Sequence, residues 1–271
     1  MTLMSYGNLV AMTQIPAFST TVHGSGPGLL LAHGAGGSIE GNYAPIIPAL
    51  AAHHTVVAPD YPGSGATPRS AGPLTLDGLV DGVVAAADEA GLDTFTLLGY
   101  SLGTLVSVRT AARHPDRVRG LVLTAGLARP DNRTRSSLAM WQRLLAAGDT
   151  EGFAHFVALS GFGEEFFNAV PEREVPALLK LIAEGVPAGT AEQAAVVAAT
   201  DNTPHLAGIS VPTLVIATLQ DTLVSPSNSR FLAEHIPGAE YTELDTGHVP
   251  MAEKPREWEK LILDFLARKE L

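Results

Sequence analysis

The sequence predicts an α/β protein: a mostly parallel sheet flanked by helices, with a helical lid inserted after the sixth strand. Short apolar runs alternate with amphipathic stretches along most of the chain, the pattern of a sheet that is wrapped by helices. The runs are nearly continuous in Leu, Val and Ile, as expected for strands that are buried on both faces. From about residue 129 to residue 204 the alternation stops, and only helical patterns are found.

Six apolar runs are predicted to be the buried strands of this sheet. They are Gly28–Ala32, Thr55–Ala58, Phe95–Leu98, Gly120–Thr124, Thr213–Ala217 and Glu240–Leu244. Each run has the length of a strand and is too short for a typical helix. The segment Ile15–His23 is predicted to be an additional strand at the edge of the sheet.

Three stretches outside the lid are predicted to be helices. Leu76–Ala90 places its leucines and valines on one stripe, with Asp77 and Asp81 outside it. Leu102–Arg113 is followed by a His-Pro pair, and the residue before a proline disfavours helical backbone. Glu257–Leu266 has its large apolar residues on one side.

The segment from residue 129 to residue 204 is interpreted as the lid, and residues 1–128 and 205–271 as the α/β core. Its predicted helices are Ser136–Ala147, Thr150–Ser160, Pro171–Glu184 and Thr190–Thr200. The helices that cross between parallel strands usually come one at a time, so a run of them indicates a cover over the strand ends. An ordinary helical layer with its own core remains the alternative.

Composition narrows the classes of function. The 271 residues are 46% hydrophobic and carry a net charge of -11, which disfavours nucleic acid and anionic lipid as partners. The chain has no cysteine, so disulfides and thiolate chemistry are excluded. We expect a cytoplasmic protein that needs no cofactor or metal and acts on a small molecule, without a membrane partner; homodimer formation is left open.

A candidate nucleophile lies in Gly99-Tyr100-Ser101-Leu102-Gly103, between the predicted strand Phe95–Leu98 and the predicted helix Leu102–Arg113. This strand–turn–helix context is the one that a Gly-x-Ser-x-Gly nucleophile elbow requires. The turn exposes the serine hydroxyl at the carboxyl edge of the sheet, where the helix N-terminus supplies free N–H groups. Ser101 is therefore the predicted nucleophile.

A serine hydroxyl needs a base, and the base needs a group that fixes its tautomer. His248 follows the last predicted strand and is the predicted base. Asp221 follows the strand before it, so the chain order is Ser…Asp…His, as in hydrolases with this elbow. Asp131, after the preceding strand, is the second candidate for the acid.

The reaction also needs N–H donors for the oxyanion of its tetrahedral intermediate. His33-Gly34-Ala35-Gly36-Gly37 follows the strand Gly28–Ala32, and its glycines let the backbone approach a ligand closely. The backbone N–H groups of Ala35 and Leu102 are the predicted donors. The ring of His33 is interpreted as a structural support for this loop.

With these residues placed, the chain resembles the α/β-hydrolase superfamily, in the lid-bearing branch of serine esterases, lactonases, C–C bond hydrolases and haloperoxidase-like enzymes. The resemblance spans about residues 28–266. Its motifs are His33-Gly34-Ala35-Gly36-Gly37, Asp60-Tyr61-Pro62-Gly63-Ser64-Gly65, Gly99–Gly103, Asp221 followed by Pro226, and Gly247-His248 with Glu253 and Pro255. Thr218, Thr104 and the pair Tyr61-Pro62 depart from the usual pattern, which leaves the sub-family and the substrate open.

The expected activity is hydrolysis of a carboxylic ester, lactone or thioester of a largely apolar small molecule through an acyl-enzyme. The aromatic side chains of the lid are expected to line the substrate pocket; they are Trp141, Phe153, Phe156 and Phe162. The same site would serve a C–C bond hydrolase, a cofactor-free perhydrolase or haloperoxidase-like enzyme, or a cyclase of natural-product biosynthesis. A ligand-binding receptor on the same scaffold is the non-enzymatic alternative.

Overall fold

The computed structural model describes residues 15–271, and a seven-stranded sheet forms its centre. In chain order the strands are β1 (Thr20–His23), β2 (Gly28–Ala32), β3 (Thr55–Pro59), β4 (Phe95–Tyr100), β5 (Val118–Thr124), β6 (Thr213–Thr218) and β7 (Glu240–Leu244). They lie in the order β1-β3-β2-β4-β5-β6-β7, and only the β1–β3 pair is antiparallel among these seven. The prediction of an α/β fold with a mostly parallel sheet is confirmed.

Helices lie on both faces of the sheet. Outside the connection from β5 to β6 they are α1 (Ile39–Tyr43), α2 (Ile47–Ala51), α3 (Leu76–Glu89), α4 (Leu102–Arg113), α10 (Pro226–His235), α11 (Pro250–Glu253) and α12 (Pro255–Lys269). The connection itself holds α5 (Asn132–Ala146), α6 (Thr150–Gly161), α7 (Glu164–Ala169), α8 (Val175–Glu184) and α9 (Thr190–Ala199), with 3-10 helices at Glu172–Glu174 and Thr203–Gly208. We refer to residues 132–208 as the helical insert.

The sheet separates two apolar clusters. On one face, buried residues of α3 and α4 pack with side chains of the helical insert, so the insert shares a core with the sheet. On the other face, Tyr43, Trp258 and Phe265 are fully buried beneath α1 and α12. None of the helices in residues 15–271 has the length and apolarity of a membrane span.

The structure corrects three predictions about the order and bounds of the elements. The edge strand covers only Thr20–His23, because the N–H of Ser19 donates to Oγ1 of Thr67 instead of a strand. The insert follows the fifth strand of the described residues rather than the sixth, since β1 alone precedes β2 there. The helix predicted over Pro171–Glu184 is two helices, and Pro176 lies in the first turn of the second.

The first helix of the insert begins earlier than predicted, at Asn132. Asp131 caps it, with Oδ1 accepting a hydrogen bond of 2.8 Å from the N–H of Thr134. Its Oδ2 accepts a hydrogen bond from the side chain of Asn228. Both carboxylate oxygens of Asp131 are thus in use: one caps α5 and the other binds Asn228 of α10. This structural role accounts for an aspartate at this position after β5.

Candidate active site

Ser101 stands in a strained turn between β4 and α4. Its backbone has φ 52° and ψ -116°, a region that non-glycine residues rarely adopt. The turn brings α4 against β2: a Cβ on Gly103 would lie 1.8 Å from the carbonyl oxygen of Ala32. A side chain at this position would therefore push the helix off the sheet and move Ser101.

The structure brings Ser101, His248 and Asp221 into one hydrogen-bonded chain. Nε2 of His248 lies 3.0 Å from Oγ of Ser101, and Nδ1 of His248 lies 2.6 Å from Oδ2 of Asp221. The three residues follow β4, β7 and β6, whose carboxyl ends meet at one edge of the sheet. His248 and Asp221 are buried, and Ser101 is partly exposed.

The carboxylate of Asp221 is held on both oxygens. Oδ1 accepts hydrogen bonds from the N–H groups of Leu223 and Val224, at 2.9 and 2.8 Å. Oδ2 accepts one of 3.0 Å from the hydroxyl of Thr218, beside the contact with His248. These donors fix the plane of the carboxylate and leave Oδ2 facing Nδ1 of His248, so the carboxylate orients the imidazole ring.

The loop after β2 is a tight turn that faces the elbow. The N–H of Gly37 donates to the carbonyl of Gly34 over 3.3 Å, and Gly36 has φ +69°, as the third residue of a type II turn requires. A Cβ on Gly34 would lie 3.3 Å from Cβ of Ser101, which shows how closely the loop approaches the nucleophile. Among the described residues, no acceptor is found for the N–H of Ala35 or of Leu102.

His33 supports this loop from below. Its Nε2 accepts a 2.9 Å hydrogen bond from the N–H of Tyr61, so the proton resides on Nδ1, which donates to the carbonyl of Gly34 over 2.8 Å. The ring also packs on that of Tyr61, with centroids 3.9 Å apart. Burial lowers the pKa of His33 from 6.5 to about 4, so the ring is neutral near pH 7.

A small cavity of about 140 Å³ opens beside His248 and the loop after β2. Its walls include Trp141 and Phe153 from the helical insert, which meet edge to face with ring centroids 5.2 Å apart. The remaining walls include Tyr100, Val157, Ile182, Val186, Leu223 and Val249, with Asn42 as a polar group. The cavity is therefore mainly apolar.

Of the four aromatic residues predicted to line the pocket, Trp141 and Phe153 lie on this cavity, and Phe156 and Phe162 do not. Phe156 is partly buried and packs against the core cluster. Phe162 ends α6, where its ring stacks on those of Phe166 and Phe167 at centroid distances of 5.3 and 5.9 Å. The face of α6 that carries Phe153 and Val157 lines the cavity, whereas Phe156 packs against the core and Phe162 follows the helix.

Several contacts near the site were not anticipated from sequence. Asn42 and Gln193 bind the backbone of the loop after β2 with their side chains. Glu253 accepts hydrogen bonds from the N–H groups of Gly163, in the insert, and Gly247, beside the catalytic candidate His248. Thr218 and Glu253 are motif positions, whereas Gln193 belongs to no motif and offers no local signal. Within residues 15–271, no grouping of His, Asp and Glu side chains suits a metal ion.

Comparison with known proteins agrees with the fold. A family model described as the alpha/beta hydrolase fold matches residues 27–255. The chain is 35% identical over 255 residues to pyrrolizixenacetamide deacetylase of Xenorhabdus hominickii, which covers 93% of this chain and 96% of that protein. It is 30% identical over 201 residues to 3-oxoadipate enol-lactonase 2 of Acinetobacter baylyi, 74% of each chain. The crystal structure of the enol-lactonase from Burkholderia xenovorans LB400 has a TM-score of 0.81 and 28% identity, covering 92% of this chain and 96% of that chain.

The chain therefore belongs to the α/β-hydrolase family. Its relatives are named as hydrolases, and the protein is an enzyme of this hydrolase class.

Proposed function

We propose that this protein hydrolyses a carboxylic ester or lactone with a small apolar group, through an acyl-enzyme on Ser101. The observation that carries the proposal is the chain of contacts from Oγ of Ser101 through His248 to Asp221, at 3.0 and 2.6 Å. Both distances lie within the range for proton transfer and for orientation of the base. In this reaction Ser101 is the nucleophile, His248 the general base and Asp221 the group that orients it.

The proposed reaction has two halves. Oγ of Ser101 attacks the carbonyl carbon while Nε2 of His248 takes its proton, and the carbonyl oxygen becomes an oxyanion that the N–H groups of Ala35 and Leu102 bind. The intermediate collapses, and the alkoxide leaves with the proton from His248. Water then attacks the acyl-enzyme, His248 again takes and returns the proton, and the carboxylic acid departs with Ser101 restored.

The cavity limits the part of the substrate that is bound next to Ser101. A dry cavity of about 150 Å³ in another protein accepts benzene, whereas pockets for drug-sized ligands hold about 300–1,000 Å³. At about 140 Å³, the cavity suits an acyl or ring portion of roughly benzene size. Trp141 and Phe153 would face that portion, so we expect short or compact acyl groups to react fastest.

An amide is the second candidate substrate class. The relative of 35% identity is named a deacetylase of an acetamide, and an acetyl group fits the cavity with room to spare. The same residues serve either bond, because the His248 imidazolium can protonate a leaving amine as well as an alkoxide.

The test combines covalent labelling with a substrate series. A fluorophosphonate probe should label the wild-type protein, and mass spectrometry of the peptides should place the label on Ser101. Turnover should be highest for p-nitrophenyl acetate or butyrate and fall for octanoate, with p-nitroacetanilide and a simple lactone as the amide and ring comparisons. Ser101→Ala is the matched control for both assays. A probe that leaves the folded wild-type protein unlabelled would favour the ligand-binding alternative.

A further inference from the structure

Three successive N–H groups of the loop after β2 differ in their hydrogen-bond partners. The N–H of Gly34 donates to Oδ1 of Asn42 over 3.0 Å, and the N–H of Gly36 donates to Oε1 of Gln193 over 2.9 Å. Only the N–H of Ala35, between them, has no acceptor among the described residues. Side chains thus occupy the two flanking donors and leave the middle one for a ligand.

Gln193 reaches this loop from the helical insert. Gln193 lies on α9 and is fully buried. Both the oxygen and the nitrogen of its side-chain amide form hydrogen bonds. Because a backbone N–H can only donate, Oε1 must face Gly36, which directs Nε2 toward the core. Nε2 donates to Oγ of Ser64 over 2.9 Å and to the carbonyl of Pro62 over 3.2 Å.

Ser64 closes the network onto the same turn. Its hydroxyl donates to the carbonyl of Gly37 over 2.6 Å, so one buried cluster holds the N–H of Gly36 and the carbonyl of Gly37. The backbone of α9 is tied to the same region, since the N–H of Gly189 donates to the carbonyl of Gly63 over 3.0 Å. Every polar atom of the Gln193 amide has a partner, so a rotation of the turn would leave buried groups unpaired.

The bond to Gly36 has a direct consequence for Ala35. The hydrogen bond from Gly36 fixes the peptide plane between Ala35 and Gly36, and the bond from Gly34 fixes the backbone on the other side. With both neighbours held, the peptide that carries the N–H of Ala35 has little freedom to rotate. An oxyanion donor is effective when it needs no reorganisation during the reaction.

We propose that Gln193 is a positioning residue, which holds the loop after β2 so that the N–H of Ala35 points at the oxyanion. The helical insert is then part of the catalytic apparatus as well as a wall of the substrate cavity. This inference rests on the proposed function, in which Ala35 and Leu102 bind the oxyanion.

The test replaces Gln193 by Met, which has a similar length and no hydrogen-bonding amide. Loss of one oxyanion donor costs about 10²–10³-fold in kcat, and misplacing a donor should cost less, so we expect kcat for p-nitrophenyl acetate to fall about 10- to 100-fold. A trifluoromethyl ketone forms a tetrahedral adduct with the serine, and its affinity should fall in parallel. The matched methyl ketone, which binds without the oxyanion, should bind as well as to the wild-type protein.

Thr200→Val is the matched control at the C-terminal end of the same helix. The hydroxyl of Thr200, the residue that follows α9, donates to the carbonyl of Val196 and forms no hydrogen bond with the loop among the described residues. This variant should lose a little stability and keep both kcat and the affinity for the trifluoromethyl ketone. Equal losses in Thr200→Val and Gln193→Met would mean that general loosening of the insert is responsible, and the proposal would be wrong.

If the Gln193→Met protein does not fold, a second variant still tests the proposal. Ser64→Ala removes one partner of Gln193 and the bond to Gly37 while leaving the rest of the network. It should reduce kcat and trifluoromethyl ketone affinity several-fold with methyl ketone binding unchanged. Unchanged values in the folded variants overturn the role of Gln193. A wild-type protein that takes neither a fluorophosphonate label nor the trifluoromethyl ketone instead overturns the proposed function itself.

Discussion

The nucleophile elbow and the loop after β2 face each other across the site, and they are held in different ways. The elbow is fixed by backbone from the core: the N–H of Ser101 donates to the carbonyl of Thr124, and Gly103 abuts the carbonyl of Ala32. The loop after β2 is fixed by side chains, from Asn42 on one side and Gln193 on the other.

The two regions differ in whether a side chain from a distant part of the sequence holds them. The motif of the elbow lies within a strand, a turn and a helix that follow one another in the chain, and the neighbouring strands β5 and β2 contribute backbone carbonyls to it. One support of the loop comes from a residue 157 positions away, in a helix inserted between two strands. We therefore expect changes at Gln193, in the helical insert, to affect stabilisation of the oxyanion while Ser101 stays in place.

The largest effect is expected on the elbow side. Ser101→Ala and His248→Ala should each lower kcat/KM by about 10⁴-fold or more, because both groups act in the same step. The double variant should be little worse than either single one, which steady-state kinetics on p-nitrophenyl acetate can measure. Losses that multiply in the double variant would show that the two residues do not act as a unit.

Alanine at one glycine of each region sharpens the comparison. Gly103→Ala would place Cβ against backbone that cannot move aside, and we expect it to cost about 3 kcal/mol of unfolding free energy. Gly36→Ala would place Cβ 3.0 Å from the Thr190 methyl group, with left-handed backbone that costs about 1–2 kcal/mol. Gly36→Ala should still fold, and its kcat should fall because the turn that carries the N–H of Ala35 is distorted. Urea unfolding and kcat should be measured for both variants. A Gly103→Ala protein that is more stable than Gly36→Ala would contradict the expected difference between the two regions.

The sequence was informative wherever the structure depends on neighbouring residues. Short runs predicted the positions of the six parallel strands, although β7 is a partly exposed edge strand rather than a buried one. The motif around Ser101 predicted a turn that the structure places between β4 and α4. Chain order also predicted that Asp221 and His248 follow the last two strands, and the structure brings both to Ser101. Parallel strands end at one edge, so the motif positions determined which side chains would meet.

The sequence was uninformative where packing decides. The face of α6 that carries Phe153 and Val157 lines the cavity, whereas Phe156 and Phe162 do not reach it, and periodicity alone does not show which face of a helix meets a cavity. Gln193 lies in an alanine-rich helix without a motif, and only the folded chain places it against Gly36. The use of Asp131 as a helix cap likewise depends on where α5 begins.

His33, which supports the loop after β2, should make the free energy of unfolding depend on pH. Burial lowers the pKa of His33 from 6.5 to about 4. Above pH 6.5 the ring is neutral in the folded and unfolded chains, so its full contribution to stability is present. Between pH 6.5 and 4 the unfolded chain takes up a proton that the folded protein excludes, so the free energy of unfolding falls as pH decreases, by about 3 kcal/mol in all.

Chemical denaturation at several pH values between 7 and 4 measures this loss. His33→Gln keeps a donor and an acceptor at the position without a titrating ring, and its unfolding free energy should fall less steeply than that of the wild type. Asp60, 3.9 Å from Nε2 of His33, is present in both proteins and affects both curves. Parallel curves for the two proteins would assign the acid sensitivity to other groups.

The smallest expected effect concerns Thr218, one of the positions at which the chain departs from the usual family pattern. Its hydroxyl donates to Oδ2 of Asp221, the oxygen that also meets His248. Thr218→Val removes this donor and keeps the shape, while the N–H groups of Leu223 and Val224 still hold the carboxylate, so we expect a loss of about 1 kcal/mol, or about 5-fold in kcat/KM. Thr213→Val is the matched control, because Thr213 is buried on the same strand and its hydroxyl bonds only the carbonyl of Val211. A fall in kcat/KM for Thr218→Val alone would place Thr218 among the supports of Asp221, and equal kinetics for the two variants would show that Leu223 and Val224 suffice.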